Sequence, residues 1–255
     1  MLNHYIEPHK LLLHQITDDQ LLYKFVKVDD FNKSIGGNYL HFNRVDSYKD
    51  FEGADLCDGE QLPLDRNHNK KIGFVKSPSF TAEKYYDISR SRTYACCFSL
   101  EESDYMWEKY RKDGICLIFE FGKLRQALNQ ALENSMLRVG NMPCQQIFSI
   151  NYGVVDYISK EEFINQRQPN PIQYTFSKDN YYQREKEFRV ALSALGIGTY
   201  LLQGCEIPFL ASLQFPFDFK KAFKEKIIMS ISCDHSMNKK LNKILTQREI
   251  KPIYD

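Results

Sequence analysis

The eight residues from Gly114 to Phe121, Gly-Ile-Cys-Leu-Ile-Phe-Glu-Phe, form a nearly continuous apolar run. A run this short and unbroken reads as a strand covered on both faces, because a strand with one wet face would alternate. Thr93 to Ser99 has the same character. Two such strands require other layers on either side of a sheet. One follows immediately: Leu124, Ala127, Leu128, Ala131 and Leu132 repeat at the i, i+3, i+4, i+7, i+8 spacing of an amphipathic helix.

The flanks extend the pattern. Leu21 to Val26 reads as a first strand, Asp29 or Asp30 as the cap of a short helix ending at Gly36-Gly37, and Tyr39 to Phe42 as a second strand. Phe148 to Tyr157 alternates, and Phe188 to Leu195 and Pro208 to Phe215 are further strand candidates. The chain closes on a strand from Ile227 to Cys233, an Asp234 or Ser236 cap, and a helix presenting Leu241, Ile244 and Leu245 on one face. Residues 55 to 79 are polar and broken by Gly59, Pro63 and Pro78, which reads as a long loop or insertion. The expectation is a single α+β domain over residues 1–255, with a mixed central sheet and flanking helices.

Charge narrows the function classes. With 34 basic and 33 acidic residues the net charge is +1, so any attraction for nucleic acid or an anionic membrane must be local. The Lys220, Lys221, Lys224 and Lys226 cluster reads as a solvated helix face. No apolar run approaches the roughly 20 residues that cross a bilayer, and His4, Glu7, His9 and Lys10 precede Leu11-Leu12-Leu13 without the order of an export signal. A soluble cytoplasmic protein with no membrane partner is expected. The seven cysteines, at 57, 96, 97, 116, 144, 205 and 233, are odd in number and lack zinc-knuckle spacing, so reduced thiols and no metal are expected.

The familiar phosphate-loop, dinucleotide, nucleophile-elbow and zinc-protease motifs are absent. Four other segments stand out: Leu22-Tyr23-Lys24-Phe25; Asp50-Phe51-Glu52; Cys97-Phe98-Ser99 with Met106-Trp107-x-x-Tyr110 and Gly114-x-x-Leu117-x-Phe119; and Glu185-Lys186-Glu187-Phe188-Arg189. Their order resembles the mainly bacterial family catalogued as domain of unknown function 2971, over about Leu21 to Tyr254. The chain departs from that pattern around Ser47 to Glu52 and at Glu108, Lys109 and Arg111. That family carries no function with it. A weaker resemblance does: an aromatic-basic first strand, a short helix ending in glycine, a hydroxyl at the end of a middle strand and a late strand-borne glutamate are similar to the ADP-ribosyltransferase fold, whose members split NAD.

That resemblance implies NAD as substrate, a protein or nucleic-acid acceptor, and a role as an effector in bacterial conflict or antiviral defence. Splitting the nicotinamide-ribose bond builds positive charge on the ribose carbon, which a nearby carboxylate stabilises. Glu187 is the choice for that role, since Glu185, Glu187 and Arg189 would project from one face of an extended segment. Tyr23 and Tyr110 offer faces for the cationic nicotinamide, and Lys24 and Ser99 offer contacts for ribose or pyrophosphate. Plainer readings stand beside these: Tyr23 packing in its strand, Ser99 capping the next helix, Trp107 and Tyr110 as a packed face, and Glu187 with Arg189 as an ion pair on an exposed face. Two functional alternatives remain open. One is a module binding a nucleotide or nucleic-acid end without turnover; the other is a metal-dependent nuclease using Asp50, Glu52, Glu185, Glu187 and Lys186.

Overall fold

The computed structural model describes residues 5–6, 16–50, 54–110, 113–134, 138–139, 142–143, 146, 148–159, 161, 172–194, 200–202 and 205–251. Phe51, Glu52, Arg111, Cys144, Gly196-Ile197-Gly198 and most of 159–165 lie outside the described residues. The main elements of the first half are β1 (Leu21–Lys27), α1 (Val28–Gly37), β2 (Tyr39–Arg44), α2 (Pro63–Asn69), β3 (Gly73–Phe74), β4 (Ser77–Thr81), α3 (Ala82–Arg90), β5 (Thr93–Ser99), α4 (Asp104–Tyr110), β6 (Gly114–Glu120) and α5 (Phe121–Asn134). The second half adds β7 (Phe148–Val154), β8 (Asp156–Ile158), α6 (Ile172–Thr175), β9 (Ser177–Asp179), β10 (Glu187–Ala194), β11 (Ser212–Pro216), α7 (Phe219–Lys224), β12 (Ile228–Cys233) and α8 (Asn238–Gln247).

The sheet forks at β5. One long edge of β5 pairs antiparallel with β10, which continues to β7. The other edge is shared: Ser99 lies opposite Tyr23 of β1, while Ala95 and Tyr94 lie opposite Asn43 and Arg44 of β2. From there β1 runs on to β6 and β12, and β2 to β11, all antiparallel. Since β1 and β2 both oppose β5, they point the same way, and parallel neighbours need a crossover. Helix α1 supplies it, burying Val28, Phe31 and Ile35.

Both faces of β5 and β6 are covered, which accounts for their apolar continuity. The larger core joins Phe98, Phe119 and Val190 to Leu124, Leu128 and Leu132 of α5 and Leu241, Ile244 and Leu245 of α8. Fully burying one such side chain is worth about 1.5–3 kcal/mol, and Phe31 of α1 and Phe219 and Phe223 of α7 join the same core. On the opposite face Phe25, Cys116 and Ile118 meet Met106, Trp107 and Tyr110 of α4. Gly114 permits that approach, because a Cβ there would fall 2.5 Å from the Tyr110 Cβ.

Helix α4 packs on the sheet without submerging. None of its residues is fully buried. The Trp107 ring meets Phe25 edge-on at 5.1 Å, and its Nε1 donates to Glu102 Oε1 at 2.9 Å. As this is the sole tryptophan, its emission is expected between those of free and fully buried indole, and Phe25→Ala should shift it to the red. An unchanged spectrum in that variant would show that the Phe25 contact does not form.

Two local expectations are corrected. The segment 55–79 is not one long loop: it holds α2 and most of the β3–β4 hairpin, because Pro63 opens a helix at its first turn rather than breaking one. The α1 cap is Lys27, with Asp29 and Asp30 inside the first turn, where they complement the helix dipole. The helix ends at Gly37, as expected, and Asn38 caps it in the left-handed region at φ 51°. Lys220, Lys221, Lys224 and Lys226 are exposed, as a solvated face requires.

Candidate active site

Tyr23, Ser99 and Glu187 lie side by side. Tyr23 opposes Ser99 across β1 and β5, and Ser99 opposes Glu187 across β5 and β10. Directly opposed residues share a face with Cβ atoms about 4.5–5.5 Å apart, so the three form a row across three strands at the fork. Ser99 does not cap α4. Its Oγ donates to Glu185 O at 2.9 Å and accepts from Glu101 N at 3.3 Å, while Ser103 Oγ accepts from Met106 N. The hydroxyl thus ties the end of β5 to the turn before β10.

Glu185 is not on the strand with Glu187. It ends a 3-10 turn over Asn180–Glu185, and Lys186 takes the left-handed conformation at φ 42°. That residue breaks the alternation on which a shared strand face depends. The two carboxylates nevertheless converge, because Lys178 reaches both: its Nζ lies 2.6 Å from Glu185 Oε2 and 3.1 Å from Glu187 Oε2. Lys109 pairs with the other Glu185 oxygen.

Arg189 is the centre of the cluster and is fully buried. Its Nε and Nη2 donate to the two Glu187 oxygens at 2.7 and 2.9 Å. Nη1 and Nη2 donate to the two Asp58 oxygens at 2.6 and 2.7 Å, and Nη1 also reaches Thr175 O at 2.6 Å. All five guanidinium hydrogens are therefore used. Asp58 is delivered by a tight turn whose next residue, Gly59, has φ +69°; a Cβ there would lie 2.4 Å from Val45. The network is buried, correcting the expectation of an ion pair on an exposed face.

Three acids, Asp58, Glu185 and Glu187, face three bases, Lys109, Lys178 and Arg189. Burial pushes the Glu187 carboxyl up, but Arg189 and Lys178 pull harder and hold it well below the usual carboxylate range. For Asp58 burial prevails over the attraction of Arg189, and its carboxyl sits above its ordinary value. Beside them Cys97 is half-buried, with its Sγ 3.2 Å from the Tyr48 hydroxyl. Burial raises that thiol, and the adjacent Glu187 charge raises it further, so it remains protonated at neutral pH.

The remaining expected residues surround this centre. Lys24 Nζ donates to Cys97 O at 3.0 Å, filling the gap at the fork between the β1 and β2 pairings, and sits 5.1 Å above the Phe98 ring. Tyr110 stacks on Phe25 at 5.9 Å; burial lifts its hydroxyl pKa against the opposing pull of Lys24. Tyr182 covers Lys178, whose Nζ lies 4.9 Å from the ring centroid. Sequence reasoning missed Asp58, Lys178, Lys109, Tyr48 and Tyr182. Asp58 joins the cluster from a turn and Lys178 from the short strand β9, and nothing in their local sequence marks them.

Surface depressions of about 640 and 550 Å³ lie along α5, lined by Lys123, Gln126 and Gln130 among others, and share no residue with this cluster. Four of the charged groups at the first pair with each other, Arg125 with Asp18 and Lys123 with Glu120. Among the described residues no group of three His, Cys, Asp or Glu side chains is arranged to hold a metal ion. Fold and site together define an α+β domain with a forked, mostly antiparallel sheet and a buried ionic cluster at the fork. No family model, curated protein or solved structure matches the chain.

Proposed function

We propose that the protein splits NAD at the bond between nicotinamide and ribose, on the face carrying Tyr23, Ser99 and Glu187. The observation that carries this reading is the cross-strand row of an aromatic residue, a hydroxyl and a carboxylate at the fork. In the proposed step the carbon-nitrogen bond breaks and its electron pair goes to the pyridinium nitrogen, giving neutral nicotinamide. The ribose carbon becomes cationic, and water or an acceptor atom adds a lone pair to it and then gives up a proton. A carboxylate that stays ionised stabilises this charge more in the transition state than in the ground state, and Glu187 has the lowered pKa the role needs. Glu185, with its side chain 11% exposed against 5% for Glu187, is the carboxylate nearer solvent. Tyr110 and Tyr182, half-buried beside it, offer aromatic faces to the cationic ring. An enzyme of this kind acts on the cytoplasmic NAD pool, as a conflict or defence effector would.

One observation favours a second reading, in which the cluster is scaffold: every hydrogen of the Arg189 guanidinium is already satisfied within the protein. The test is to incubate the purified protein with NAD, alone and with protein or nucleic-acid acceptors, and to follow nicotinamide by chromatography. Parallel incubations with nucleic acid and Mg²⁺ score strand scission. Nicotinamide release is expected. Its absence under every acceptor, together with no NAD binding by calorimetry, would remove the proposal.

A further inference from the structure

We propose that the β3–β4 hairpin is a docking surface for an anionic lipid bilayer, an inference independent of the NAD reading. All ten residues 70–79 are exposed. At the tip Val75 is 99% exposed, with Phe74 at 41% and Ile72 at 38%. Lys71 and Lys76 flank these apolar residues and no acidic residue occurs from 71 to 82, while Lys70 at the base pairs with Glu83 at 3.6 Å. In a chain whose net charge is only +1, the hairpin is a local positive patch with an aliphatic point.

The point is presented on a fixed stem. The Phe74 ring packs against Phe80 at 5.5 Å and Tyr85 at 5.8 Å. Ala82 N donates to Ile72 O at 2.8 Å, and Lys84 Nζ donates to Ser79 O at 3.0 Å. Exposing apolar side chains to water is unfavourable, and the occupant must use both them and the lysines. Nucleic acid would meet the lysines but gain nothing from Val75 or Ile72. A second copy of the chain would set like charges against each other. An anionic bilayer answers both chemistries, since lysines meet the headgroups while the apolar tip enters the boundary with the acyl chains. Among the described residues no helix is long and apolar enough to cross a membrane, so the contact proposed is with the surface.

The test is flotation with vesicles of phosphatidylcholine alone or mixed with phosphatidylserine. Binding to the mixture alone is expected, weakening as salt screens the lysines. Lys76→Gln should lower the partition coefficient about fivefold, the share of one lysine at an anionic surface. Val75→Asp should abolish flotation while the thermal midpoint stays unchanged, because the side chain is in solvent. Equal flotation with both vesicles, no flotation with either, or undiminished flotation of Val75→Asp would each overturn the proposal. So would binding to a single-stranded oligonucleotide in place of the vesicles, or a dimer in sedimentation that Val75→Asp dissociates.

Discussion

Arg189→Met is expected to destabilise the protein by about 3–5 kcal/mol, the usual cost of removing one partner from a buried ion pair. Methionine keeps the apolar stem of arginine but ends where Nε stood, so the space vacated by the buried guanidinium adds to the loss. What is lost is five hydrogen bonds to Glu187, Asp58 and Thr175 O, leaving two carboxylates buried with Lys178 as their remaining buried cation. Chemical denaturation of both proteins measures the difference. Lys186→Met is the control, because the Lys186–Glu101 pair is exposed at 53% and 43% and such pairs contribute about 0–1 kcal/mol. Equal effects of the two substitutions would mean that the buried cluster is solvated in solution. Adding Asp58→Asn to Arg189→Met should recover part of the loss, since one stranded charge is then removed; a strictly additive double variant would deny their coupling.

The same network sets an acid limit. Glu187 is held below its ordinary value of 4.5, so its contribution to stability is full above that value and is lost as pH falls through the lowered folded-state value. Asp58 has the opposite sign: a raised carboxyl pKa favours folding at low pH and makes its ionised form a cost at neutral pH. In Arg189→Met the main attraction on Glu187 is gone, so the midpoint of acid unfolding should move upward.

How far the sequence shows this follows from which interactions are local. Apolar continuity at β5 and β6 and the Leu124–Leu128–Leu132 stripe are local patterns, and the elements form where those patterns lie. The row of Tyr23, Ser99 and Glu187 depends on register between distant strands. The order of motifs is its only sign in the sequence. The fork itself has no local signature, since it arises from β1 and β2 sharing one edge of β5. Helix α2 has an ambiguous signal, since Pro63 breaks a helix in its interior but starts one at the first turn. Asp58 and Lys178 were invisible for a related reason: an isolated acid and lysine in polar segments look like surface residues until the strand between them puts Arg189 within reach of the acid and Glu187 within reach of the lysine.

Glu187→Gln is expected to slow NAD splitting by about 100-fold to 1,000-fold, the range for losing one preorganised stabilising group in a water-poor site. The substitution also disturbs the cluster. A glutamine amide keeps one acceptor for Arg189 but turns a donor toward it where the second carboxylate oxygen stood, so some stability is lost as well. Total activity therefore cannot distinguish a catalytic carboxylate from a scaffold. Activity per folded molecule can. For a transition-state role, kcat falls while KM for NAD stays near its starting value, at a temperature where the variant remains folded. For a scaffold role, the folded fraction falls and each folded molecule turns over normally. Glu185→Gln provides a second measurement at lower structural risk, because that carboxylate is nearer solvent and held by two lysines. If Glu185 shares the ribose site, its loss lowers kcat with little change in the thermal midpoint; if only Glu187 faces the substrate, Glu185→Gln leaves kcat intact. Full turnover per folded molecule in both variants would take the carboxylates out of the chemistry and leave the cluster as the rivet that holds the fork together.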